Sequence, residues 1–544
     1  GDGQAVRSAA IKPEALSPLT KGGPSRWPEV LKAPLIRGRD DGPFAVDVLS
    51  HPTKTPWSSR MRFSGLDFLP GGRSLVGAVS SSPTPTAPKP SPLAGEGRVG
   101  GPEAGAIPEN PPPYPPPQGG RGQNSPNTGE RNGPHSLVVC DWDGDVWRVD
   151  GLDDPANVLT WRRIASGLFQ PLGLKVIDGA IYLTCRDQIA ILRDYNGDGE
   201  ADFIEAFNTD QQVTDHFHEF AMDLQVDPAG NLYYTKGARH GATATVPQHG
   251  TLLRVTKDGL RTDILATGFR APNGVCLNPD GTFFITDQEG HWIPKNRINH
   301  VKVGGFYGNM WGYHDVTDPS DRAMEPPVCW ITNAVDRSPS EVVRVEGRGW
   351  GPLEGQLLSL SYGYGKVFVV PHETVAGRMQ GGVAMLPIPP FPTGIMRGRF
   401  HPLDGALYAC GLFGWASNQE QPGGLYRVRP TGKPLHVPIR LHARRDGMAI
   451  TFTGPIDPAS ASDASRFAVK TWSLRRTASY GSPHVGEKTL EVASSRLEGD
   501  GRTVVLTIPQ IAPTMGMEIT YALRARDGPA VVGAIHNTIH ALGE

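Results

Sequence analysis

Two histidines in the string DHFHEF, His216 and His218, are the side chains of this sequence best suited to move a proton at neutral pH. In an extended strand they would share one face. A neutral imidazole there could act as a general base. Two imidazoles with Asp215 or Glu219 beside them could instead ligate a metal, or the segment could be a polar loop with hydrogen-bonded histidines. Arg270 precedes Ala271-Pro272-Asn273-Gly274, a sequence that fixes a tight loop under it. Its planar fork suits a carboxylate or a pair of carbonyl oxygens; the alternative is an ion pair tying neighbouring sheets. Arg397 and Arg399 in MRGRF alternate onto one face, either toward a ligand or as surface charge. The string Asp194-Tyr195-Asn196-Gly197-Asp198-Gly199-Glu200-Ala201-Asp202 places Asp194, Asn196, Asp198 and Asp202 at spacings that wrap oxygen around Ca²⁺. It lacks the bidentate glutamate of a full EF-hand loop, and an unmetallated acidic turn is the other reading.

These residues must be held by strands. Six times the chain repeats an alternating apolar run, a turn and a second alternating run. The copies are GLDFLPGGRSLVGAV from Gly65, GLKVIDGAIYLTC from Gly173, MDLQVDPAGNLYYTKG from Met222, GVCLNPDGTFFITDQEG from Gly274, GQLLSLSYGYGKVFVV from Gly355 and GRFHPLDGALYACGL from Gly398. Period-2 alternation on both sides of a tight turn is a β-hairpin. Recurrence at this interval predicts an all-β fold, a six-bladed β-propeller over 41–435, whose loops gather around one central funnel. Residues 1–40 read as an irregular lead-in. The Pro/Gly/Ser-rich stretch 81–135 cannot form a packed core and reads as a disordered insertion in the first blade. From 436 to 544 the pattern changes to short, evenly spaced strands, predicting a small Ig-like β-sandwich.

Composition narrows the function classes. A formal net charge of -2 gives no electrostatic footprint for nucleic acid. No apolar run reaches the ~18 residues that a membrane-spanning helix needs. The five cysteines are widely spaced, with neither CxxC nor CxxCH, and read as small buried hydrophobes.

Three motifs resemble the soluble quinoprotein glucose/sorbosone dehydrogenase family. HEFAMDLQVDPAGNLYYTKG from His218 is similar to the segment that holds the family's catalytic histidine. GFRAPNGVCLNPDG from Gly268 is similar to its GxRNPQG motif, whose arginine meets the quinone. EGHWIPKNRINHVKVGGFYG from Glu289 is similar to the loop whose backbone carbonyls reach calcium. SYGYGKVFVVPHE, GIMRGRFHPLDGALYACGLFGW and the tail from Thr471 resemble a branch of membrane-bound dehydrogenase domains often fused to c-type cytochromes. The resemblance implies pyrroloquinoline quinone and Ca²⁺ as cofactors, His218 and Arg270 as catalytic residues, and Arg270, Gly290, His291, Trp292, Arg397 and Arg399 at the cofactor. It also implies a sugar or polyol substrate, a cytochrome or other electron acceptor, and a periplasmic or extracellular location. Two departures stand out. Glu219-Phe220-Ala221 follow His218 where the family often has HxxG, and Lys295-Asn296-Arg297 replace the acidic pair before the Ile-Asn of the calcium loop. The competing expectation is a non-catalytic propeller, a carbohydrate- or protein-binding module.

Overall fold

The computed structural model describes residues 21–71, 135–413 and 421–544. The chain is all-β, with several antiparallel sheets. Five of the repeated segments form paired strands as their alternation requires: those from Gly173, Met222, Gly274, Gly355 and Gly398. The second run of the copy from Gly65 lies outside the described residues. Its first strand, Phe63–Leu69, pairs with Ser136–Asp141 beyond the Pro/Gly-rich stretch. The expected insertion itself lies outside the described residues, except for His135.

Each repeat grows into a four-stranded meander. The first strands of these six meanders are Phe63–Leu69, Gly173–Ile177, Ala221–Val226, Pro272–Leu277, Pro339–Arg344 and Gly394–Phe400. Each lies against the next, and the sixth returns to the first. Backbones pass closely here: a Cβ on Gly274 would collide with Cα of Glu341 in the neighbouring first strand. Apolar faces of adjacent sheets meet in shared cores, such as Val138, Ile164, Leu174 and Ile181 between the first two meanders. The sixth meander is completed by an early segment, Phe44–Leu49, which pairs with Gly423–Pro430.

Two expectations are corrected. The lead-in contains a strand, Leu31–Ile36, paired with Val158–Ala165 at the outer edge of the first meander. Ala33 and Leu35 alternate inward, and at Leu35 and Ile36 the strand also pairs with Phe44–Leu49, which joins the first meander to the sixth. The C-terminal region has two facing sheets, but only one is self-contained: Pro438–Arg444, Gly447–Phe452, Thr503–Thr507 and Ser494–Leu497. In the other, strand Ala530–Ile539 pairs with Arg378–Met385 of the fifth meander. A single core fills the space between the sheets and includes Ala384.

Candidate functional site

A polar pocket of about 360 Å³ opens between the loops that precede the third and fourth meanders. His218, His240, Arg270, Glu289 and Tyr480 border it. Beneath it lies a narrow apolar pit walled by Trp142, Phe220, Met222, Tyr362 and Met396, with His218 and Gln288 at the junction.

His218 reaches this junction from a turn, not from a strand. The turn is pinned by Glu219, which is fully buried. Glu219 accepts from the Thr214 amide at 2.6 Å and lies 2.5 Å from Nε2 of His249. Burial alone would raise its pKa, but the His249 contact, the Thr214 amide and the Lys236 charge hold it below the ordinary carboxylate range. Arg186 clamps the same turn through the carbonyls of His216 and Phe217. His216 and His218 therefore do not share a face. The His218 amide donates to Nδ1 of His216 at 3.2 Å, and His216 does not border the pocket.

His218 is 5% exposed, and its Nδ1 lies 2.8 Å from the carbonyl oxygen of Ala238. A carbonyl only accepts, so the proton is on Nδ1 and Nε2 carries the lone pair. Burial, reinforced by the Arg270 charge, lowers the His218 pKa to about 3. The imidazole is thus neutral at physiological pH, with the Nε2 lone pair available, while burial and the Arg270 charge weaken it as a base.

Arg270 is 6% exposed. Asp287 fixes its backbone by accepting from the amides of Arg270 and Ala271, while pairing with Arg297 at 2.7 Å. The guanidinium donates to Nδ1 of His240 at 2.7 Å and lies 5.5 Å from the Tyr480 ring centroid. Among the described residues no carboxylate forms an ion pair with it, and Nε has no hydrogen-bond partner. The acids that attract it from farther off, Asp287 and Glu289, are paired with Arg297 and Lys295. Burial lowers the pKa of His240 and of His291, and Arg270 adds to both effects. The pocket therefore gathers imidazoles whose pKa values are lowered around the buried Arg270 guanidinium, beneath the exposed rings of Phe217 and Tyr480.

The other expected ligand residues divide. His291 joins the cluster, 5.6 Å from His240 between ring centroids. Gly290 forms the bed of Arg270, where a Cβ would collide with Nε. Its carbonyl, expected to face calcium, accepts from the Gly481 amide at 3.1 Å. Trp292 turns away to lie under Arg476, 5.6 Å from ring to guanidinium. Arg397 and Arg399 do not reach the polar pocket. They are buried in the sixth first strand, where Arg399 meets Glu341 and Asp223, and Arg397 donates to Asn273 and the Leu172 carbonyl. Alternation put them on one face, as expected, but the partners for that face come from other meanders.

The acidic string is turned onto its own backbone. Asp194 accepts from the amides of Gly197 and Gly199, and Asp202 from those of Tyr195 and Gly23. Asn196 donates to the Gly23 carbonyl and Asp198 accepts from the Glu200 amide. Among the described residues there is no group of three or more His, Cys, Asp or Glu placed to hold a metal ion, so the geometry lends the calcium expectation no support. The five cysteines are buried and unpaired.

Sequence reasoning missed His240 and Tyr480. His240 follows the third hairpin in KGARHG, where position in the repeat could have flagged it. Tyr480 comes from the C-terminal sheets, and no periodicity connects it to the loops it meets.

Residues 139–299 match the family described as SMP-30/Gluconolactonase/LRE-like region. No curated protein matches the chain. Among solved structures, one from Thermus thermophilus described as an oxidoreductase (glucose dehydrogenase) is 17% identical, covering 54% of this chain and 93% of its own, with a TM-score of 0.41. The PQQ-bound form of aldose sugar dehydrogenase from Streptomyces coelicolor is 16% identical, covering 54% and 91%, with a TM-score of 0.37. The holo form of the pyranose dehydrogenase PQQ domain from Coprinopsis cinerea is 12% identical, covering 54% and 90%, with a TM-score of 0.37. No helix among the described residues is long and apolar enough to cross a membrane.

Proposed function

We propose that the six meanders are the blades of a β-propeller and that its funnel oxidises a hydroxyl of a sugar or polyol, using a quinone of the pyrroloquinoline quinone type. The observation that carries this reading is His218, a buried neutral imidazole whose free Nε2 borders the pocket while Nδ1–H is held by Ala238. Such a quinone is a planar, multiply anionic group. The residues fit it in charge and shape: Arg270 is buried without a counter-ion, its Nε is unsatisfied, and the rings of Tyr480 and Phe217 border the cavity. When bound, the quinone supplies the two-electron acceptor for the hydride of the carbinol carbon. His218 takes the hydroxyl proton at Nε2. Arg270, itself buried, presents its fork to anionic oxygen. The apolar pit below His218 keeps bulk water from the base. The resemblance extends the reading to an electron acceptor such as a c-type cytochrome and to a periplasmic or extracellular site of action.

The test is reconstitution of the full chain with pyrroloquinoline quinone, followed by dye reduction across sugars and polyols. Quinone-dependent reduction that is lost in His218→Ala, with quinone binding retained, is the expected result. Absence of quinone binding would overturn it. A second reading, a carbohydrate-binding module without turnover, is favoured by one observation: the Gly290 carbonyl is already engaged by Gly481. Calorimetric binding of a glycan without quinone would support that alternative.

A further inference from the structure

The loop Thr477–Ser482 belongs by sequence to the C-terminal sheets, yet it lies along the pocket loop 289–294. The Trp292 amide donates to the Thr477 carbonyl at 2.8 Å, the Gly481 amide to Gly290 at 3.1 Å, and the Ser482 amide to Pro294 at 2.9 Å. His291 and Tyr480 form a β-bridge at the centre of this contact. The Tyr480 ring centroid is 5.5 Å from the Arg270 guanidinium, 6.0 Å from the His240 ring and 5.5 Å from the His291 ring. Gly481 has φ +66°, and a Cβ there would strike the Glu289 carboxylate. The left-handed backbone at this position favours glycine.

The two parts of the chain thus press together beside Arg270, and the groups there that could attract a cation are already engaged. Glu289, whose charge could attract a cation, is taken by Lys295 at 2.6 Å and by Asn333. The carbonyl of Gly290 is taken by an amide.

We infer that the loop Thr477–Ser482 is a working wall of this pocket, with Tyr480 positioning Arg270 and His240, and that its backbone contact occupies the place of a divalent cation. The pocket then receives an anionic ligand without metal. The identification of that ligand as a quinone rests on the function proposed above; the positioning of Arg270 and His240 does not. Tyr480 is a positioning residue: it acts through Arg270 and His240. Its phenol hydroxyl and its ring are separable contributions, since the ring alone provides the face under the guanidinium.

The experiment uses the full chain in two arms. In the first, histidine side chains are followed by nitrogen NMR without quinone. Tyr480→Ala and Gly481→Ala should shift the His240 and His291 signals, Tyr480→Phe should shift them less, and millimolar Ca²⁺ should leave the wild-type signals unmoved. In the second, pyrroloquinoline quinone binding is measured by fluorescence with EDTA or with Ca²⁺. The affinity should be the same in both, and Gly481→Ala should weaken it by roughly tenfold to a hundredfold, the scale of a misplaced contact. Thermal unfolding checks that each variant folds, and Tyr480→Phe serves if Tyr480→Ala does not. Unmoved histidine signals in a folded Tyr480 variant overturn the inference whatever the quinone does. So does a Ca²⁺-induced shift or Ca²⁺-dependent binding. If no quinone binds while the histidines respond as expected, the functional reading fails and the positioning role survives.

Discussion

Two sets of buried arginines lie within one ring of sheets and are treated in opposite ways. Beneath the pit, Arg397 and Arg399 face Asp223 and Glu341, two cations against two acids. Burial would raise the Asp223 pKa, but Arg397 and Arg399 together hold it low. Burial pushes the Glu341 pKa up to about 7 despite Arg399. At the pocket, Arg270 is as deeply buried, yet the acids near it are spent on other cations. A cation buried without a counter-ion weakens the fold. The paired set therefore serves structure, whereas the unpaired one is stability given up at a place where a ligand can supply the missing charge.

The largest effect should come from the base. His218→Ala is expected to lower turnover by about two to four orders of magnitude, with quinone binding intact, in dye-reduction and binding assays of the reconstituted protein. Retained turnover would remove catalysis from the pocket side of the contrast.

Arg399→Met breaks the paired set, stranding Glu341 and leaving Asp223 with Arg397 alone. It should cost about 3–5 kcal/mol in chemical denaturation, the usual penalty for removing one partner of a buried ion pair. Arg270→Met should cost roughly 1 kcal/mol or less, because the lost cation had no carboxylate partner. Equal costs at the two sites would erase the distinction.

The next effect is a pH dependence. The folded-state pKa of His218, about 3, lies below the ordinary value of 6.5. The unfolded chain therefore binds the extra proton, and stability falls as pH drops from about 6.5 toward 3. Near pH 5 this one group should account for ~2 kcal/mol, and His218→Gln should flatten the denaturation-versus-pH curve by that amount. The same neutrality predicts that kcat/KM shows no acid limb near pH 6.5. An inflection there that vanishes in a His218 variant would contradict the assignment.

The smallest effect concerns the string 194–202, whose carboxylates already accept from backbone amides. Added Ca²⁺ should leave the melting temperature within about a degree, since a ligand that binds neither state shifts nothing. A rise of several degrees would reinstate the metal.

Much of the strand pattern was legible because alternation and turn chemistry are local. The hairpins from Gly173 to Gly398 pair where period and turn place them. The first run of the copy from Gly65 pairs with Ser136–Asp141 beyond the Pro/Gly-rich stretch, a partner that no local pattern indicates. His218 and Arg270 were legible because each sits at the same place relative to its hairpin. Tyr480 was not, since its approach to Arg270 depends on how the C-terminal sheets join strand Arg378–Met385. Arg397 and Arg399 show the limit of periodicity: alternation fixes the face of a side chain but not its depth, and Asp223 and Glu341 come from strands far apart in the chain.

The early strand Phe44–Leu49 has a consequence for the chain as it is made. Its Asp47 is fully buried against Arg427, 380 residues away. At a synthesis rate of ~5–20 residues per second, this strand waits roughly 20–80 seconds for Gly423–Pro430 to emerge. Throughout that interval it is an open edge, the kind that recruits neighbouring chains. An inward-pointing aspartate is a guard suited to such a delay: it resists apolar pairing while exposed and is neutralised once Arg427 and Arg429 arrive.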